Sequence, residues 1–262
     1  MPEPQDEVVV DRSGAVMTVR INRPEARNAM NVAVMAGIGG ALLAADADDQ
    51  VRAVVLTGTG DRAFCAGMDL RAFAEGGMTP DEAQKAGMEA FSSFIRGGFS
   101  TPVIGAANAA AVAGGFELLM ACDLIVASEE ARFGIPEAKR GLFAAGGGVF
   151  LPRRIPLAIA LELGMTGDVI DAGRASELGL VNRVVPPGDV LDTAMELAAR
   201  IAANGPLGVQ ATRRLMRAAA SKTDEEVWTL QSEIQPGVFG SEDAKEGARA
   251  FVEKREPMWK GR

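Results

Sequence analysis

The feature that most constrains this chain is a rhythm of short apolar strand, glycine-punctuated turn and helix that occurs twice before residue 130. In the first unit, Ala53–Leu56 is apolar throughout and runs into a loop from Thr57 to Gly67. In the second, Thr79–Phe99 reads as a helix, with Thr79-Pro80 as cap and first position and Phe91, Phe94 and Ile95 on one face. Pro102–Ala107 then reads as a buried strand, Gly114–Cys122 as a helix, Asp123–Ala127 as another strand and Ala131–Gly134 as an extended edge. Such alternation of strands with helices predicts an α/β fold. The two units share no detectable sequence identity. Upstream, Val8–Val10 and Ala15–Ile21 suit two strands joined at Ser13-Gly14, and Asn31–Ala45 suits a helix. Residues 1–7 read as a disordered tail.

Strand signals thin after Gly146, and only Val181–Val185 reads as a late strand. Pro156–Gly164, Ala172–Leu178, Val190–Ala203, Pro206–Ala219 and Ser241–Lys254 carry helical spacing, broken by Gly-Pro or Pro-Pro punctuation. The chain therefore divides into an α/β core, residues 1–188, and a C-terminal helical section, residues 189–262. At 262 residues it is long enough to bury a core without disulfides or metals.

Composition removes whole mechanisms. The chain has 0 His and 0 Tyr, which rules out Ser-His and Cys-His dyads, a His general base and His-ligated metals. Acid–base chemistry falls to Asp, Glu, Lys, Cys, water or the backbone. Lys and Arg number 27 against 35 Asp and Glu, a formal charge of −8, which argues against a nucleic-acid partner. The apolar stretch from Thr101 to Phe116 is interrupted by Pro102, Asn108 and glycines, so no membrane span is expected. With Cys65 and Cys122 as the only cysteines and no apolar leader ahead of them, a cytoplasmic location with reduced thiols is expected.

No phosphate-binding glycine motif is present: neither Gly58-Thr59-Gly60 nor Gly146-Gly147-Gly148 extends to a nucleotide-binding pattern. Two other glycine turns carry more. Phe64-Cys65-Ala66-Gly67-Met68-Asp69-Leu70 follows one apolar strand, and Ala113-Gly114-Gly115-Phe116-Glu117 follows another and opens a helix. Small residues there let backbone approach a ligand, and N–H groups at a helix start are unpaired and aligned with its dipole. Together they can form an oxyanion hole made of backbone alone, or they can be tight turns in a packed core. Glu117 and Glu137 lie in apolar company, where burial disfavours ionisation and moves a carboxylate toward proton-transfer duty. A helix-start carboxylate at 117, and a salt bridge from Glu137 to Lys139 or Arg140, are the alternative readings.

These segments, together with Asn22–Asn31 and with Phe133-Gly134-Ile135-Pro136-Glu137-Ala138-Lys139-Arg140-Gly141-Leu142, stand in the order and spacing of the enoyl-CoA hydratase/isomerase family, the crotonases, which the chain resembles over nearly its whole length. Gly115–Glu117, Pro136–Lys139 and the ending Trp259-Lys260-Gly261-Arg262 are similar to carnitinyl-CoA dehydratases within that family. The resemblance implies a crotonase-like spiral of repeated ββα units with a C-terminal helical section used for trimerisation. It implies reversible syn addition of water across the 2,3 double bond of a 2-enoyl-CoA, including crotonobetainyl-CoA as a candidate substrate. The thioester oxygen would sit between the N–H groups of Met68 and Gly114. Glu117 would act as base and Glu137 as proton donor, or the reverse, because neighbouring carboxylates titrate as a pair. Ala26, Arg27, Ala66, Gly67, Asp69 and Leu70 would line the CoA path. Trp259 and Lys260 would complete a neighbour's site in a trimer or dimer of trimers. No metal or redox cofactor is implied, CoA being part of the substrate. The alternatives are Δ3,Δ2-enoyl-CoA isomerisation or another crotonase reaction, and a non-catalytic acyl-CoA binding protein. Cys65, with no His partner, reads as a packed thiol.

Overall fold

The computed structural model describes residues 6–262. Strands β1 (Val8–Ser13) and β2 (Val16–Ile21) form the expected antiparallel hairpin. Helix α1 (Val32–Ala47) begins where Asn31 accepts a hydrogen bond from the Val34 N–H, which satisfies one of the donors a helix start leaves unpaired. Then follow β3 (Ala53–Gly58), β4 (Ala63–Cys65), α2 (Leu70–Ala74), α3 (Lys85–Ile95), β5 (Val103–Ala107), β6 (Ala110–Val112), α4 (Gly114–Ala121), β7 (Leu124–Ser128) and β8 (Arg132–Gly134). The second half holds α5 (Leu157–Thr166), β9 (Val169–Asp171), α6 (Ala172–Glu177) and β10 (Arg183–Val185). It closes with α7 (Val190–Ala202), α8 (Pro206–Ala219), α9 (Asp224–Phe239) and α10 (Glu242–Glu253).

Two sheets result, ordered β1-β2-β3-β5-β7-β10 and β4-β6-β8-β9. Pairing is parallel except between β1 and β2 and between β8 and β9. Each unit lays its first strand in the large sheet and its second in the small one: β3 then β4, β5 then β6, β7 then β8. Repetition of that step winds the chain into a spiral of ββα units. Every residue of β3 and β5 is buried, as strands covered on both faces require. One face of the large sheet packs with α1, α3 and α4 around Val54, Leu56, Phe64, Phe94 and Phe116. The other buries Val55, Ile104 and Val126 under Ala194, Ala198 and Ala202 of α7.

Several expectations are corrected. The helix read from Thr79 to Phe99 spans only Lys85–Ile95. Asp81 and Gln84, not Thr79-Pro80, close its approach: the Asp81 carboxylate accepts from the Gln84 N–H at 2.9 Å and the Gln84 amide oxygen from the Asp81 N–H at 3.1 Å. Ala131–Gly134 is no edge, because β8 lies between β6 and β9. Strands β4, β6 and β9, of three residues each, are too short to show a period. Helix α9 is absent from the expected elements, although its capping box of Thr223 and Glu226 is a legible start signal. Of the expected tail, residues 1–5 lie outside the described residues. Glu7 is held by Arg23 at 3.1 Å, so the chain is anchored there. Among the described residues no helix is long and apolar enough to cross a membrane.

Candidate active site

The spiral brings the two glycine turns side by side. Met30 and Met68 form a parallel bridge, with the Met30 N–H donating to Gly67 O at 2.8 Å and the Asp69 N–H donating to Met30 O at 2.9 Å. This fixes the peptide of Met68 at the rim of α4. Gly67, at φ +94°, permits the turn, and a Cβ there would come within 3.1 Å of the Gly114 nitrogen. A Cβ on Gly114 would in turn stand 3.6 Å from the Met68 nitrogen. Neither N–H donates a hydrogen bond to another described residue. The two donors therefore share one spot, with the start of α4 adding its dipole.

Alanine at 113 holds φ +52° and ψ −133°, a conformation costing a non-glycine residue about 1–3 kcal/mol. It is held there by the Ala113 N–H to Gly134 O bond at 2.9 Å and by the Phe116 and Glu117 N–H groups on its carbonyl. Gly115 is obligatory for a different reason, since a Cβ would lie 2.1 Å from the carbonyl oxygen of Cys65. Helix α4 and strand β4 thus touch backbone to backbone, and that contact sets the spacing of the two donors.

Glu117 rises from the first turn of α4 and is 6% exposed. It does not cap its own helix. Its Oε1 accepts from the Gly148 N–H at 2.7 Å, and the glycines at 146 and 148 leave room for the carboxylate to lie against that loop. Burial pushes its pKa up, the Gly148 N–H opposes this, and the nearby charge of Glu137 raises it further. Glu137 lies in the 3-10 turn Pro136–Arg140 and is also pushed up by burial, against the pull of its own N–H and of Arg140. Its Oε2 is buried with no hydrogen-bond partner among the described residues. The salt bridge considered for it does not form: Lys139 pairs with Asp168 at 3.0 Å. Two carboxylates, the charge of one acting on the other and one with a buried oxygen awaiting a donor, suit the handling of a water or of substrate protons.

The expected CoA residues are only partly gathered. The Ala66 N–H donates to Arg27 O at 3.1 Å, which joins Ala26, Arg27, Ala66 and Gly67 into one surface. The Arg27 side chain is exposed with no hydrogen-bond partner among the described residues. Asp69 is engaged in structure: it pairs with Arg23 at 3.0 Å and caps α2 through the Arg71 and Ala72 N–H groups, which hold its carboxyl below the usual range, the Ala72 N–H first. Leu70 projects outward, 45% exposed. Trp259 and Lys260 do not hydrogen-bond to these loops. The Trp259 indole donates to Ala203 O at 2.8 Å and Lys260 pairs with Glu242 at 2.9 Å. Cys65 is buried, its thiol pushed up to about 12, and so is not a nucleophile at neutral pH.

Sequence reasoning missed three supports. Met30 carries the bridge just described. Asn28, fully buried, donates to the carbonyls of Thr59 and Ala63 and accepts from the Arg23 N–H, pinning the two loops together. The Gly148 N–H that holds Glu117 was signalled only by a run of three glycines.

A spiral of ββα units, with the N–H groups of Met68 and Gly114 close together and unpaired among the described residues, and with Glu117 within the field of Glu137, fits the crotonase class. Residues 11–262 match the family described as enoyl-CoA hydratase/isomerase, and the chain belongs to that family. It is 42% identical to the enoyl-CoA hydratase EchA19 of Mycobacterium tuberculosis, across 98% of this chain and 97% of that one. It is 39% identical to the carnitinyl-CoA dehydratase of Proteus mirabilis, across 95% and 96%. A crystal structure of an enoyl-CoA hydratase from Mycobacterium tuberculosis matches with a TM-score of 0.91 at 46% identity, covering 98% of this chain and all of that one.

Proposed function

We propose that the protein is an enoyl-CoA hydratase, a hydro-lyase that adds water reversibly and syn across the 2,3 double bond of a 2-enoyl-CoA. The observation that carries this reading is that Glu137 stands near enough for its charge to act on Glu117, both having raised pKa and one an unpartnered buried oxygen. An isomerase that shuttles one proton needs a single such group, and a binding protein needs neither. The relatives named as enoyl-CoA hydratase and carnitinyl-CoA dehydratase support the same reaction class.

In this mechanism the Met68 and Gly114 N–H groups polarise the thioester carbonyl and stabilise the enolate charge as it develops; one such donor is worth on the order of 100-fold in rate. Water held between the carboxylates adds to Cβ, with Glu117 taking its proton and Glu137 supplying a proton to Cα. By microscopic reversibility dehydration interchanges their roles, Glu137 taking the Cα proton and Glu117 protonating the departing hydroxyl. The reaction as read draws on no metal or redox cofactor. CoA enters as part of the substrate, along Ala26, Arg27, Ala66, Gly67, Asp69 and Leu70, with Arg27 free to meet a phosphate.

The active form is a homotrimer or a dimer of trimers, in which the section after residue 188 makes contacts together with the outer face of α5, and Trp259 and Lys260 complete a neighbour's CoA site. Exposed Leu157, Leu161 and Met165 along one face of α5 are the kind of surface that association covers. Location in the cytoplasm accords with two buried, free thiols. Mixing the purified protein with crotonyl-CoA and crotonobetainyl-CoA tests the reading: loss of enoyl absorbance is expected with at least one. No turnover on these or on longer 2-enoyl-CoAs would refute it.

A further inference from the structure

Glu117 lines a cleft of about 1610 Å³ between the core and α8, larger than pockets built for drug-sized ligands. In a chain of charge −8, seven of the side chains lining this cleft are cationic and three anionic. Three of those cations are already matched, since Asp123 is shared by Arg213 at 2.8 Å and Arg217 at 2.7 Å, and Lys222 meets Glu226 at 3.8 Å. Arg154 is different. It is half-buried, its Nη1 donates to Met120 O at 3.0 Å, and none of the ion pairs among the described residues includes it. Burial first and the neighbouring Arg217 second weaken its hold on its proton, while Cys122 and Asp123 oppose them. A guanidinium offers five donors in a planar fork, and one of Arg154's is spent on a carbonyl. Met120 lies one turn beyond Glu117 on α4, about 5 Å along the axis, so Arg154 stands about one helical turn from Glu117 along the cleft that both line.

We propose that Arg154 is a specificity residue that receives a carboxylate at the far end of the acyl chain, so that the preferred substrates are medium-chain 2-enoyl-CoAs with an ω-carboxylate. Neutral chains bind less well, and chains ending in a quaternary ammonium are repelled by the same charge. A carboxylate docked on the fork supplies the direct ion pair that Arg154 lacks, since the nearby Asp123 is already paired with Arg213 and Arg217. This assignment rests on the hydratase reading, and its test separates the two.

The experiment compares hydration of three eight-carbon 2-enoyl-CoAs that differ only at the far end: methyl, carboxylate and trimethylammonium. The carboxylate compound is expected to exceed the methyl compound in kcat/KM by about tenfold or more, the worth of one charged hydrogen bond, with the gain in KM. The trimethylammonium compound falls below both. In Arg154→Gln the carboxylate-to-methyl ratio drops about tenfold, and Arg154→Lys restores part of it. A wild-type ratio at or below one overturns the proposal, whether or not Arg154→Gln folds, and so does a ratio that survives Arg154→Gln intact. Hydration of the methyl compound without preference defeats the charge assignment alone. Failure of all three, and of crotonyl-CoA, defeats the hydratase reading and this assignment with it.

Discussion

Glu117 and Glu137 hold their protons more tightly than free glutamates do, and the direction of the consequence for rate follows. The base must be ionised, so activity is lost as pH falls through its raised pKa, at a pH above the ordinary glutamate range; the acid must be protonated, so activity falls again on the alkaline side. A bell-shaped kcat/KM profile is expected, and Glu117→Gln should abolish its acid limb. Each of Glu117→Gln and Glu137→Gln should lower kcat by about 100-fold or more while KM moves little; full activity in either would remove that residue from the mechanism. Ala113 makes a separate prediction. Its positive φ is a standing strain, so Ala113→Gly should stabilise the fold by about 1 kcal/mol, read as a higher melting temperature. An unchanged or lower one would show that the turn is not strained.

At the scale of elements, the decisive contact is α4 against β4. A methyl at position 115 would meet the Cys65 carbonyl, and backbone cannot rotate aside as a side chain can. Gly115→Ala should cost about 1–3 kcal/mol of stability and lower kcat, because moving α4 separates the Gly114 and Met68 N–H groups. Denaturant unfolding and steady-state kinetics on the same preparation check both; loss of stability with kcat intact would unlink the contact from the hole. Helices α1 and α3 pack by the same device, since a Cβ on Gly39 would lie 1.9 Å from Gly87 O. That contact belongs to the core and not to the site.

For the whole molecule, the exposed apolar face of α5 and the exposed Phe239 and Phe251 of the last helices point to association. A solution mass of three or six chains is expected by light scattering. Leu161→Lys combined with Met165→Lys should reduce that mass and weaken CoA-ester binding together, since a neighbour's Trp259 and Lys260 would no longer reach the site. A monomeric wild type with full activity would end this account of the C-terminal section.

The sequence by itself determined the α/β class, most helices, the long buried strands, the hairpin at Gly14 and the site motifs, because each carries a local signal: a period, a glycine or a cap. The absence of His and Tyr narrowed the chemistry to carboxylates and backbone before any fold was known. Only the tertiary structure decided what is non-local. It formed β4, β6 and β9, three-residue strands that exist because neighbours offer hydrogen bonds. It turned Asp69 to a helix cap, and it set Glu117 on the Gly148 N–H and within the field of Glu137. Residues 117 and 137 lie on different elements, and no spacing along a chain says that the charge of one carboxylate will act on the other. That follows from the spiral, in which strand pairing over long loops brings successive turns of the chain to the same place.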